Sequence, residues 1–163
     1  MTGVPLEIER KYLIVYPDLS WLESQPDLKK IDITQTYLLP VNGEERRLRK
    51  GREGVAVTLW YTAKRKITEM TREEREEIIT EEAYEQLLAE ADPEKRPLQK
   101  TRYCIPYEGL RIEIDVYPFW DHQAIAEVEL PSEDTPVSFP PEIKVIREVT
   151  GEKAFKNSEL AKR

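Results

Sequence analysis

The sequence predicts an α+β fold dominated by antiparallel β structure, a sheet or a barrel with a few short helices. Three observations predict it. Stretches that alternate apolar and polar residues recur along the chain, short turn signals join most of them, and the helical patterns between them are brief.

Leu6-Glu7-Ile8-Glu9-Arg10-Lys11 opens an alternation that runs over residues 6–16 and ends at Pro17. Glu7, Glu9 and Lys11 share one face of that strand, with Leu6 and Ile8 on the other. Like charges about 7 Å apart repel by roughly 2 kcal/mol at an effective dielectric near ~20. A cation between them turns repulsion into attraction, and hard divalent metals prefer carboxylate oxygens. Asp18 is placed to cap a short helix carrying Leu19, Trp21 and Leu22, limited by Pro26. Residues 31–39 are rich in β-formers, Pro40 stops them, and Asn42-Gly43 is a hairpin turn signal. The return strand holds Arg47 and Arg49 on one face and Leu48 on the other, and Gly51 and Gly54 bracket the next turn. Over residues 55–64, Thr58, Trp60, Thr62 and Lys64 face away from Val55, Val57, Leu59 and Tyr61.

Arg72-Glu73-Glu74-Arg75-Glu76-Glu77 shows no apolar period, and judged alone it reads as part of a charged helix. Thr80 is the better helix start, with Glu81 and Glu82 in the first turn and Ala83, Leu87, Leu88 and Ala91 on the buried side. Asp92-Pro93 ends that helix. Over residues 98–106, Lys100, Arg102 and Cys104 share a parity. Glu108-Gly109 turns, after which Arg111, Glu113 and Asp115 oppose Ile112, Ile114 and Val116. Over residues 124–130, Glu127 and Glu129 oppose Ala126, Val128 and Leu130. Residues 131–141 hold four prolines and read as a loop. Residues 142–150 read as a helix burying Ile143, Ile146 and Val149 and stopped by Gly151, and the tail from Asn157 reads as one more helical turn.

A chain of 163 residues suits one domain, residues 1–163, with a sizeable core. Its net charge of −7 opposes non-specific binding to nucleic acid. The lone Cys104 and lone His122 supply neither an intramolecular disulfide nor a zinc site. No apolar run approaches the ~20 residues of a membrane helix, and no signal peptide is read, so a cytoplasmic location without a membrane partner is expected.

Strands with one apolar and one charged face have two physical explanations. In the first the sheet is half solvated and its charges need no purpose. In the second the sheet closes and its charged faces line a channel. The inward acids are then Glu7, Glu9, Glu74, Glu76, Glu113, Asp115, Glu127 and Glu129. The inward bases are Lys11, Arg47, Arg49, Lys64, Arg72, Lys100, Arg102 and Arg111. Such an interior is costly to desolvate unless partners neutralise it. Arginines suit bidentate phosphate contacts, and surplus acids suit Mg²⁺ or Mn²⁺, so the set describes a site for a metal-bound oligophosphate.

Glu7-Ile8-Glu9-Arg10-Lys11 resembles the ExExK signature of the CYTH superfamily, the triphosphate tunnel metalloenzymes, and the resemblance runs over nearly the whole chain. Arg47-Leu48-Arg49 resembles the family's paired arginines and Thr62-Ala63-Lys64 its TxK element. Arg72-x-Glu74-x-Glu76 resembles its RxExE strand and Lys100-Thr101-Arg102 its KxR strand. Glu113-Ile114-Asp115 and Glu127-Val128-Glu129 resemble its last two strand motifs. The resemblance implies a closed eight-stranded β-tunnel with a few helices packed outside, and makes residues 72–79 a strand. It implies metal-dependent hydrolysis or cyclisation of a triphosphate. Lys11, Arg47, Arg49, Lys64, Arg72, Lys100 and Arg102 would hold phosphates, and Glu7, Glu9, Glu76, Glu127 and Glu129 would bind two Mg²⁺ or Mn²⁺ ions. Glu74 would orient water, and Lys100 or Lys64 could donate a proton to the leaving group. Glu113 and Asp115 are read as salt-bridge partners, His122 as an exposed bystander, and Trp21 and Trp60 as packing residues.

Two departures from the family pattern stand out. Glu73, Arg75 and Glu77 replace apolar residues on the RxExE strand, and Arg65 follows the TxK lysine where glycine is frequent. Cyclases of this kind tend to carry a His-Phe pair upstream of ExExK, whereas Thr2-Gly3-Val4-Pro5-Leu6 has neither. Tripolyphosphate hydrolysis to pyrophosphate and phosphate is the favoured expectation. Thiamine triphosphatase, class IV adenylyl cyclase and a non-catalytic polyphosphate-binding module are the alternatives, and a monomer or homodimer is expected.

Overall fold

The computed structural model describes residues 5–163. The segment that would carry a cyclase His-Phe pair lies mostly outside the described residues.

Nine strands form one antiparallel sheet: β1 (Leu6–Val15), β2 (Lys29–Val41), β3 (Glu44–Glu53), β4 (Ala56–Lys66), β5 (Thr71–Ile78), β6 (Leu98–Tyr107), β7 (Leu110–Val116), β8 (Gln123–Glu129) and β9 (Val145–Glu148). Their order is β5-β4-β3-β2-β6-β7-β8-β1-β9, and β5 also pairs with β1. The pairs Leu6↔Glu73, Glu7↔Arg72 and Ile8↔Thr71 close eight strands into a barrel. β9 takes the rest of that edge of β1, at Tyr12↔Glu148 and Leu13↔Arg147. Closure removes the unpaired edges that an open sheet would present, so of the two explanations of the charged faces, the channel is the one realised.

The apolar faces point outward and are covered. Tyr12, Ile14, Ile105, Ile112, Ile114 and Val128 pack under Leu22 of helix α1 (Leu19–Glu23), with Ile143 and Phe139 from the proline-rich loop. Asp18 caps α1 by accepting from the Ser20 and Trp21 N–H groups, and Trp21 packs against the same core. Leu38 and Leu48 pack under helix α2 (Glu81–Leu87), which Thr80 caps through the Ala83 N–H. The buried residue of α2 is Tyr84, while Ala83, Leu87 and Leu88 are half-buried and Ala91 has left the helix to bridge Leu38.

A third apolar cluster lies inside the barrel. Leu13, Tyr37, Leu98, Tyr117 and Ile125 project from the strands toward Val149 and Ala161 of the C-terminal segment. Short helix α3 (Asn157–Leu160) docks this segment, and Tyr117 Oη donates to Asn157 Oδ1.

Three sequence expectations are corrected, and a fourth is borne out against its local composition. Residues 142–150 are not a helix: Val145–Glu148 is β9. Ile143 and Val149 are buried as expected, but Ile146 is 49% exposed. The deciding factor is the edge of β1 beyond Ile8, whose backbone groups β5 does not reach and β9 satisfies. Gly51 belongs to β3 rather than a turn. A Cβ there would meet the Trp60 ring at 2.6 Å, so the missing side chain lets that ring lie against the strand. β2 runs through Pro40 to Val41 because its register with β3 is irregular between Leu38 and Val41, where no ladder donor is needed. Residues Thr71–Ile78 form a strand, as the family resemblance implied and local composition did not; Arg75 and Glu77 on its outer face are solvent-exposed.

Candidate active site

The alternation within each strand sends one charged set into the barrel, where it surrounds a cavity of about 430 Å³. Of the sequence-derived residues, Glu7, Glu9, Lys11, Arg47, Arg49, Lys64, Arg72, Glu74, Glu76, Arg102, Glu113, Glu127 and Glu129 line it. Register explains the convergence: Glu9 faces Glu129 and Lys11 faces Glu127 across β1 and β8, Glu127 faces Glu113 across β7, and Lys64 faces Glu74 across β5.

Three members of the inward set lie elsewhere. Arg111 is exposed to solvent at the end of β7. Asp115 is fully buried, and Lys100 Nζ sits 2.8 Å from Asp115 Oδ2, so neither lines the cavity. Lys100 instead borders a wider groove of about 920 Å³ that also touches Lys50, Arg52, Thr101 and Trp120. That groove is larger, but its walls come mostly from outward-facing residues, and the inward charges gather in the smaller cavity.

The sequence reading missed Tyr37, Glu45, Lys66 and the tail residues Thr150, Lys156 and Asn157, all of which line the cavity. Glu45 shares strand parity with Arg47, and Lys66 with Lys64, so both were findable; the tail carries no periodic signal. The tail is tied to the ExExK strand itself. Val149 N–H donates to the Lys11 carbonyl, Lys11 N–H donates to Thr150 Oγ1 at 2.9 Å, and Lys11 Nζ donates to the Phe155 carbonyl at 3.2 Å.

The charges pair in a pattern. Arg49 Nη2 donates to Glu76 Oε2 at 2.7 Å, and Thr62 Oγ1 donates to the same oxygen at 2.9 Å. Arg47 Nη2 reaches Glu74 Oε1 at 3.5 Å, Arg72 pairs with Glu9, and Lys64 Nζ lies 3.7 Å from Glu45 Oε2. Even so, the Nε atoms of Arg47, Arg49 and Arg72 are buried without a hydrogen-bond partner among the described residues. Buried donors without acceptors are costly, so these N–H groups fit an anionic ligand.

Burial, then the charges of Arg47 and Arg72, push Lys64 down to about 7. Burial, then the neighbouring Glu127, push Glu9 up to about 7, while Lys11 and Arg102 overcome burial to hold Glu127 well below the usual carboxylate range. Glu7 and Glu129 are raised by burial and then by other carboxylates, Glu74 for the former and Glu7 for the latter. Glu76 is held low by Arg49 in spite of its burial. Carboxylates that raise one another's pKa around one cavity have the chemistry of a hard-cation site. Among the described residues no three acids already converge as a metal cage.

Fold and cavity define a β-tunnel enzyme whose interior mixes basic and acidic side chains. The chain belongs to the CYTH superfamily, the triphosphate tunnel metalloenzymes. It is 33% identical to an inorganic triphosphatase of Nitrosomonas europaea, over 95% of this chain and 96% of that one. A crystal structure of an inorganic triphosphatase is 30% identical with a TM-score of 0.57, covering 95% of this chain and 97% of that one. A Pyrococcus horikoshii protein at 22% identity shares the fold, with a TM-score of 0.57 over 78% of this chain and 80% of its own. No protein-family model matches the chain. Among the described residues no helix is long and apolar enough to cross a membrane.

Proposed function

We propose that this protein is a cytoplasmic, divalent-metal-dependent hydrolase that cleaves inorganic tripolyphosphate to pyrophosphate and phosphate. The observation that carries the reading is the set of unpartnered guanidinium N–H groups of Arg47, Arg49 and Arg72, buried in one cavity with carboxylates too crowded to ionise freely. A ligand that satisfies both needs is a polyanion accompanied by metal. The name of the Nitrosomonas relative supports the inorganic substrate.

Arg47, Arg49, Arg72, Arg102 and Lys11 would grip the phosphate oxygens and stabilise charge as it moves to the leaving group. Glu7, Glu9, Glu76, Glu127 and Glu129 would hold Mg²⁺ or Mn²⁺, which neutralises phosphate charge and acidifies water when bound. Glu74 faces the cavity beside Arg47 and is placed to orient the attacking water. The water oxygen bonds to the terminal phosphorus and gives up a proton to a cavity carboxylate, the bridging P–O bond breaks, and the leaving pyrophosphate oxygen takes up a proton. Lys64 is the better placed of the two lysines to deliver that proton, because it lines the cavity and Lys100 does not.

The test is phosphate release from tripolyphosphate, ATP and thiamine triphosphate with Mg²⁺ or Mn²⁺, repeated with a chelator. Release fastest from tripolyphosphate and abolished by chelation is expected. Tight tripolyphosphate binding without release would replace the hydrolase with a binding module. Faster release from thiamine triphosphate, or a cyclic nucleotide from ATP, would reassign the substrate.

A further inference from the structure

We infer that Asp115 is a positioning residue that holds Arg102 from behind, with Lys100 as the counter-charge that keeps Arg102 electropositive toward the substrate. The inference rests on the proposed triphosphate site.

Asp115 is fully buried and absent from the cavity wall. Its two oxygens accept the side of the Arg102 fork, from Nε at 2.8 Å and from Nη2 at 2.9 Å. A bidentate bond of this kind fixes the plane of the guanidinium as well as its place. Arg102 lines the cavity, with Nη1 3.4 Å from Glu113 Oε1 and Nη2 3.6 Å from Glu127 Oε1. The donors left over from Asp115 therefore face the metal-binding side of the bore.

Charge bookkeeping explains Lys100. A buried Arg–Asp pair alone is neutral and would attract a polyanion weakly. Lys100 Nζ, with a side chain 1% exposed, lies 2.8 Å from Asp115 Oδ2, close but not aligned as a hydrogen bond. Lys100 offsets the Asp115 carboxylate from behind, so Arg102 keeps more of its charge for the cavity side, where Glu113 and Glu127 already compete for it. The carboxylate on the KxR strand's neighbour is therefore no metal ligand, and the KxR lysine is no proton donor.

The test measures tripolyphosphate affinity by calorimetry without metal, and kcat and KM with Mg²⁺. It covers the wild type, Asp115→Asn, Arg102→Lys, the double variant and Lys100→Met. Losing the charged fork should weaken binding and kcat/KM roughly 10- to 100-fold in Asp115→Asn. Arg102→Lys cannot make the fork and should lose a similar factor. If Asp115 acts through Arg102, the double variant falls no more than about threefold below the weaker single variant. Multiplying losses would overturn the inference, as would wild-type affinity in Asp115→Asn. Should that variant fail to fold, Lys100→Met decides, because it keeps the Arg102–Asp115 pair. Its loss should fall mainly on KM, whereas a loss confined to kcat would restore Lys100 as proton donor and end the inference. A wild type that binds without cleaving removes the proposed hydrolysis but leaves the affinity ratios readable. A wild type that does neither removes both.

Discussion

Replacing Lys64 by Met should stabilise the empty protein while destroying its turnover, and the gain should be larger in acid than in base. Lys64 lines the cavity among Arg47 and Arg72, and its folded pKa is pushed from 10.5 to about 7, first by burial and then by those arginines. A depressed lysine pKa means that the fold disfavours the charged form. Below pH 7 the amine is charged in both the folded and unfolded states, so the fold bears the whole penalty. Between about 7 and 10.5 the unfolded chain binds more protons than the native one, so stability rises with pH. At about 1.4 kcal/mol per pH unit the full penalty would be roughly 5 kcal/mol. Rearrangement of the neighbours reduces it to the order of 3 kcal/mol at pH 6, and to roughly 2 kcal/mol at pH 9. Urea unfolding followed by tryptophan fluorescence, at both pH values, measures the difference. Lys64→Met should raise the unfolding free energy at pH 6 by a few kcal/mol and exceed its gain at pH 9 by about 1 kcal/mol. Destabilisation at pH 6, or equal gains at both values, would refute the account of a cationic cavity awaiting an anion.

Glu9→Gln should leave the protein folded, since burial and the neighbouring Glu127 already disfavour a charge there, but should abolish metal-dependent phosphate release; a variant with wild-type turnover would remove Glu9 from the metal set. Gly51→Ala should destabilise by about 1–3 kcal/mol, because a Cβ meets the Trp60 ring at 2.6 Å, and a smaller side chain at residue 60 should recover most of that in the same urea titration. Asn157→Ala should cost about 1–2 kcal/mol by stranding the buried Tyr117 hydroxyl, and should speed amide exchange across residues 149–161; unchanged exchange would mean that the apolar contacts alone hold the tail.

The inward carboxylates and bases were legible because parity along a strand is a local property. Glu7, Glu9 and Lys11 needed only the period of two, and so did Arg47 with Arg49 and Glu127 with Glu129. What parity does not give is depth along the bore. Lys100 and Arg102 have the same parity, yet Arg102 meets the cavity and Lys100 lies behind it against Asp115. Residues 72–77 defeated local reading because both faces are charged, and only the order of motifs along the chain placed them in a strand. β9 was illegible for a different reason. Its four residues form a strand because distant β1 has an edge to fill, and the tail residues Thr150, Lys156 and Asn157 reach the cavity only because β9 delivers them there.

The divided edge of β1 also bears on how the molecule is made. Strand β1 finds its companions at residues 71–73, 123–129 and 145–148. At about 5–20 residues per second, roughly 7–27 s separate the synthesis of β1 from that of β9. Throughout that interval the edge of β1 at Tyr12, Leu13 and Ile14 waits for its partner. Long-range pairing of this sort slows acquisition of the native state and invites chaperone attendance.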